Sequence, residues 1–239
     1  MARRNGVKRK LFSHIRPKSA IAKSFRTLRT NISFSTYDSP YNVILVTSPG
    51  PGDGKSTVST NLGVVMAQAK SRVLMIDCDL RKPVLHKYFE LDNRSGLTNL
   101  LVQDLKLEAA TYATELEGLF VIPSGPIPPN PSELLGSSKM IELLEKVVER
   151  YDVVLLDAPP IIAVTDAVLL APMVDNVLLV LRAGESRVDL AREARDRLVK
   201  AGARSVGVVL NEAKMRGDGN FYYYYGSREK PAKEIEAAN

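Results

Sequence analysis

Six short apolar runs punctuate the chain: Val43–Val46, Val73–Ile76, Leu119–Ile122, Val153–Leu156, Val177–Leu181 and Val206–Leu210. None alternates apolar with polar positions, so both faces of each strand are expected to be buried. That pattern predicts a mostly parallel sheet with helices on both faces. Between the runs the apolar period becomes helical. Val58, Leu62, Val65, Met66 and Ala69 follow the first run, and Met140, Leu144, Val147 and Val148 lie between the third and fourth. Leu190, Ala194 and Leu198 form a stripe between the fifth and sixth. Ser186, with Asp189 three residues on, reads there as an N-terminal cap, and Gly202 as a stop. Residues 18–35 read as an extra helix ahead of the first strand. Strand–helix repetition gives an α/β fold with right-handed crossovers. The expected division is a basic flexible arm over 1–17, one domain over 18–215 and a polar tail over 216–239.

Composition bounds this picture. The 239 residues are 45% hydrophobic, enough for a sizeable core, which excludes a disordered chain. The net charge of +6 is unevenly placed: residues 1–30 hold ten Lys and Arg and no acid. The body is therefore mildly acidic, and the basic arm suits an anionic membrane, nucleic acid or an acidic protein face. Cys78 is the single cysteine, so no intramolecular disulfide forms and a reducing compartment is expected. No apolar run reaches the roughly 18 residues of a membrane helix, and no apolar signal stretch follows the basic start.

The most informative motif is Gly52-Asp53-Gly54-Lys55-Ser56-Thr57, placed after a strand and before a helix. Glycines let backbone N–H groups approach a phosphate chain, and the helix N-terminus favours its charge. Lys55 is positioned to reach the β- and γ-phosphates, and the Ser56 hydroxyl to bind Mg²⁺. Pro49 occupies the place of the first glycine of the strict G-x-x-x-x-G-K-[ST] pattern. Asp77 and Asp79 follow the second strand, and Asp157 ends the fourth. In open α/β sheets ligands bind at the carboxyl ends of strands, so three acids are expected beside the phosphate loop. Mg²⁺ takes a few such oxygens and shares the rest with water and phosphates. Cys78 points away from its acidic neighbours and reads as core. Finally, Tyr222-Tyr223-Tyr224-Tyr225 fits neither strand nor helix amphipathicity, which suggests a modification tail or a docking strip.

Taken together, these motifs resemble the bacterial tyrosine kinases of capsule and exopolysaccharide synthesis, in particular their separate cytoplasmic kinase subunit. The resemblance includes Pro17-Lys18-Ser19 and Phe25 through Ile32, the phosphate loop and Ile76 through Pro83. It continues through Ser124 to Leu134, Leu156 through Pro160, and the tail tyrosines. It implies ATP and Mg²⁺ as cofactors, with Lys55, Asp77, Asp79 and Asp157 catalytic. Asp77 would take or orient the tyrosine hydroxyl proton, and Ser56, Asp79 and Asp157 would hold the metal. Gly52, Asp53, Gly54, Lys55, Ser56, Thr57, Arg81 and Asn211 would contact the nucleotide, Asn211 at its adenine. Tyr222, Tyr223, Tyr224 and Tyr225 would be the phosphoacceptors. The resemblance also implies protein tyrosine substrates and recruitment to the inner membrane face by an adaptor of the polysaccharide co-polymerase type. Relatives assemble rings through a Glu-x-x-Arg-x-x-Arg helix. Lys23 replaces the glutamate ahead of Arg26 and Arg29 and opposes such a ring. The alternative is a positioning or partitioning ATPase on DNA or membrane. Its relatives carry a lysine early in the loop, where this chain has Gly50, and stable nucleic-acid binding is not expected.

Overall fold

The computed structural model describes residues 11–35, 43–103 and 105–213. Seven strands build one sheet: β1 (Val43–Thr47), β2 (Val73–Asp77), β3 (Tyr112–Ala113), β4 (Leu119–Ile122), β5 (Val153–Asp157), β6 (Asn176–Arg182) and β7 (Val206–Asn211). Their order is β3-β4-β2-β5-β1-β6-β7, and every pair is parallel except β3 with β4. The six apolar runs are six of these strands. Two-residue β3 has no apolar run of its own and was not foreseen.

Strand parity divides the core in two. Leu45, Leu74, Ile76, Val154 and Leu156 face one way, into the larger cluster. They pack there with Met140, Leu144 and Val147 of α8 (Ser138–Val148), Leu170 of α9 (Asp166–Leu170) and Leu198 of α10 (Val188–Lys200). Ile44, Val46, Val73, Met75 and Leu155 face the opposite way, against α3 (Lys55–Gln68). Helix α3 is buried from Val58 to Ala67 because further helices cover its outer side. There α2 (Ala20–Ser35) contributes Phe25 and Ile32, and Arg29 Nη1 donates to the Val65 carbonyl at 2.9 Å. A buried polar residue needs partners, and Asn61 has them. It accepts the Ser13 N–H and donates to the Thr57 carbonyl, both at 2.9 Å.

The remaining short helices are α1 (Phe12–Ile15), α4 (Leu85–Tyr88), α5 (Leu97–Val102), α6 (Leu107–Ala110) and α7 (Pro131–Leu135). Three sequence expectations change here. Residues 11–15, assigned to a flexible arm, instead form α1 and dock on α3 with Leu11 and Ser13 buried. Strand β7 is an edge strand, so Val208 and Leu210 remain largely exposed rather than buried on both faces. Ser186 does not cap α10. Its hydroxyl accepts the Arg182 N–H at 2.7 Å and donates to Asp53. Among the described residues no helix is long and apolar enough to cross a membrane.

Candidate active site

The site begins with a turn that only glycine adopts readily. Gly52 and Gly54 have φ of +90° and +92°, in the left-handed region. A Cβ on Gly54 would stand 2.1 Å from Asn211 Nδ2. The turn is braced from within and from two other loops. The Asp53 carboxylate accepts the Gly50 N–H at 3.0 Å and the Ser186 hydroxyl at 2.7 Å. Asn211 Nδ2 donates to the Asp53 carbonyl at 3.0 Å. The loop delivers the chain to the N-terminus of the 14-residue α3, whose dipole favours an anion.

Register brings the acids to this point. Asp77 pairs with Asp157 across β2 and β5, and Val46 of β1 pairs with Asp157 on the other side. Both acids share the parity of Met75 and Leu155, so both point to the α3 side. Cys78 falls on the opposite parity and is buried in the other cluster, as expected of a core thiol. Burial pushes its pKa well up.

Lys55 Nζ sits among these acids. It donates to Asp79 Oδ2 at 2.9 Å and to Ser56 Oγ at 3.3 Å, and lies 3.8 Å from Asp157 Oδ1. Burial alone would lower its pKa. Asp157 and Asp79 outweigh that effect and hold the ammonium above its ordinary value. Asp157 is fully buried, and neither of its oxygens has a hydrogen-bond partner. Burial raises its pKa, with Lys55 opposing. Asp77 is also fully buried, yet fully engaged. Oδ2 accepts the Val84 and Leu85 N–H groups, both at 2.9 Å, and Oδ1 accepts that of Asp79 at 3.2 Å. Burial, then repulsion from Asp157, lifts its pKa to about 7.

The residues fit a magnesium–phosphate site. A buried carboxylate with two unsatisfied oxygens carries a large cost unless a cation or donor meets it. Ser56 and Asp79 share the Lys55 ammonium beside it. Among the described residues no three His, Cys, Asp or Glu side chains form a metal cage by themselves. A magnesium ion held by a few protein oxygens draws the rest of its shell from phosphate and water.

The other expected residues divide. Thr57 hydrogen-bonds through its hydroxyl to that of Tyr88 at 2.9 Å, on α4. Asn211 holds the loop backbone. Arg81, expected at the nucleotide, is bound here to Asp166, a residue the sequence reading missed. Tyr222–Tyr225 lie outside the described residues. On α2, Arg26 and Arg29 both bond within the chain, to the carbonyls of Pro17 and Val65.

A family model described as an AAA domain matches residues 41–188. Tyrosine-protein kinase YwqD of Bacillus subtilis (strain 168) is 40% identical over 223 residues, 93% of this chain and 94% of that protein. The crystal structure of the chimerical protein CapA2B2 superposes with a TM-score of 0.82 at 40% identity, covering 86% of this chain and 91% of that one. The kinase domain of the Escherichia coli tyrosine kinase Etk superposes with a TM-score of 0.79 at 32% identity, covering 87% and 83%.

Proposed function

The chain belongs to the bacterial tyrosine-protein kinase family, and from that premise we propose that it is an ATP-dependent autokinase of capsular or exopolysaccharide synthesis whose acceptors are Tyr222–Tyr225. The observation that carries this reading is the Lys55 ammonium, set between Asp79 and Asp157 at the end of a phosphate-type loop.

In the reaction, the phenol oxygen bonds to the γ-phosphorus while the bond from that phosphorus to the bridging oxygen breaks, leaving ADP. Such a transfer is mostly positioning and charge neutralisation. Backbone N–H groups of the loop over Gly52, Asp53 and Gly54, with the start of α3 at Lys55, Ser56 and Thr57, hold the phosphate chain. Lys55 meets the charge on its terminal oxygens. Ser56, Asp79 and Asp157 would hold magnesium, which when bound supplies further positive charge to the phosphates. Asp77, with a pKa of about 7, exchanges a proton near neutrality and accepts the one from the phenol. In this structure that carboxylate accepts the N–H groups of Asp79, Val84 and Leu85. Asn211 would contact the adenine, its side chain exchanging the Asp53 carbonyl for the base.

The same reading places the chain with a membrane adaptor that activates it, and with other tyrosine-bearing proteins as substrates. The basic residues ahead of α1 add contact with anionic lipid. Incubating the full chain with ATP, Mg²⁺ and the adaptor's cytoplasmic segment, then mapping phosphate by mass spectrometry, tests the reading. Phosphate is expected on Tyr222–Tyr225. ATP hydrolysis with those tyrosines unmodified refutes the autokinase. ATP-dependent, salt-sensitive DNA binding in its place supports a partitioning ATPase.

A further inference from the structure

Three loops meet beside the phosphate loop on one buried carboxylate. Asp166 opens α9 with its side chain wholly buried. Its Oδ2 accepts Arg81 Nε at 3.0 Å, and its Oδ1 accepts Arg81 Nη2 at 3.2 Å and the Ser132 hydroxyl at 2.6 Å. Arg81 Nη2 also donates to Ser132 Oγ at 2.9 Å, closing a triangle. Arg81 follows β2, Ser132 lies in the first turn of α7 beyond β4, and Asp166 lies beyond β5. The triangle therefore ties together the carboxyl ends of three neighbouring strands.

The energetics make this clasp stiff. A buried carboxylate is costly without a cation and hydrogen bonds. A guanidinium fork supplies both in a fixed plane. Arg81 is thus committed to Asp166, and what it controls lies two residues away. Asp79 Oδ2 accepts Lys55 Nζ at 2.9 Å, while its Oδ1 accepts the Lys82 N–H at 3.0 Å. The turn over 79–82 is fastened at Asp79 to the catalytic ammonium and at Arg81 to Asp166. Releasing the second fastening lets the turn relax, and the Asp79 carboxylate loses its fixed aim.

We infer that Arg81, Ser132 and Asp166 form a positioning clasp that sets the Asp79 carboxylate in place for magnesium-dependent nucleotide binding, and that Arg81 is not itself a phosphate ligand. This inference rests on the proposed role of Asp79 in the magnesium–nucleotide site. The test is calorimetric titration of the full chain with ADP, once with MgCl₂ and once with EDTA, beside thermal melting. In Arg81→Gln, Ser132→Ala and Asp166→Asn, affinity for metal-free ADP is expected to stay near that of the parent. The gain in affinity conferred by magnesium is expected to shrink about tenfold in Arg81→Gln, the scale usual for groups that orient metal ligands. Arg81→Lys keeps the charge without the fork and falls between.

Lower melting temperatures with an undiminished magnesium gain mean that the clasp serves stability alone, and they overturn the inference. An equal loss with and without magnesium also overturns it, because Arg81 would then be a nucleotide ligand. Should Asp166→Asn fail to fold, the partly exposed Arg81 and Ser132 decide the matter through their own variants. A parent chain with no magnesium gain refutes the Asp79 assignment and the clasp with it. Failure of the clasp alone leaves the parent's gain intact.

Discussion

Asp77 shows how much of the site's behaviour resides in one side chain. In the folded chain its pKa is about 7, against an ordinary 3.8. The folded state therefore binds more protons than the unfolded state between those values. Stability contributed by Asp77 is fully present below about pH 4 and is lost as pH rises through about 7. Asp157 shifts in the same direction, while the Lys55 shift acts only above 10.5. Asp77→Asn should flatten the decline in melting temperature from pH 5 to pH 8 relative to the parent. An unaltered slope would assign the proton to another group. Lys55→Met is the complementary change. It leaves Asp79 and Asp157 without their cation, so phosphorylation should vanish. The Asp157 pKa should rise further, visible as greater proton uptake than the parent's in a potentiometric comparison.

At the scale of elements, the phosphate loop depends on distant neighbours as much as on its own sequence. Gly54→Ala would force a side chain into a left-handed conformation, at a cost of about 1–2 kcal/mol. It would also displace Asn211 Nδ2, 2.1 Å from the new Cβ. ADP affinity should fall by at least tenfold, a drop worth ~1.4 kcal/mol. In an Asn211→Ala background the collision is absent and only the backbone strain remains, so Gly54→Ala should cost less there. Equal losses in both backgrounds would show that Asn211 exerts no pressure on the loop. The same geometry explains what the sequence disclosed. Asp77, Asp79 and Asp157 were legible because they sit at or just beyond the ends of buried strands, where parity and parallel register decide their direction, and Lys55 because it opens the helix that follows the glycine turn. The contacts that Arg81, Ser186 and Asn211 make within the fold were not legible. Their partners lie 85, 133 and 158 residues away, and only the closed sheet brings them together. Asp166 carries no sequence signal of its own, because its partners Arg81 and Ser132 lie 85 and 34 residues away. Residues 11–15 carry Leu11, Phe12 and Ile15 among basic neighbours, so charge masked a short docking segment. The exposure of β7 follows from its place at the sheet edge, which composition does not reveal.

For the whole molecule, the decisive quantity is the distance between the site and the tyrosines. Asn211 ends β7 beside the phosphate loop, and Tyr222 lies eleven residues further along the chain. Fully extended, eleven residues span up to ~36 Å, which permits reach to the chain's own site or to that of another copy. The buried setting of Asp77 weighs against the former. The Asp77 carboxylate is held against the backbone of residues 79–85, and a chain continuing from Asn211 has one end fixed beside the loop. A second copy delivers its tail without that restraint. The prediction is therefore transfer between copies. Full-length Lys55→Met protein, which cannot phosphorylate itself, should gain phosphate on Tyr222–Tyr225 when mixed with active chain truncated after Ala213. The initial rate should rise with the square of concentration when both are diluted together. A kinase that labels its own tail at a rate per molecule independent of dilution, and never labels the Lys55→Met partner, would require the acceptor to arrive from its own chain. The opening over Asp77 would then have to face the root of the tail.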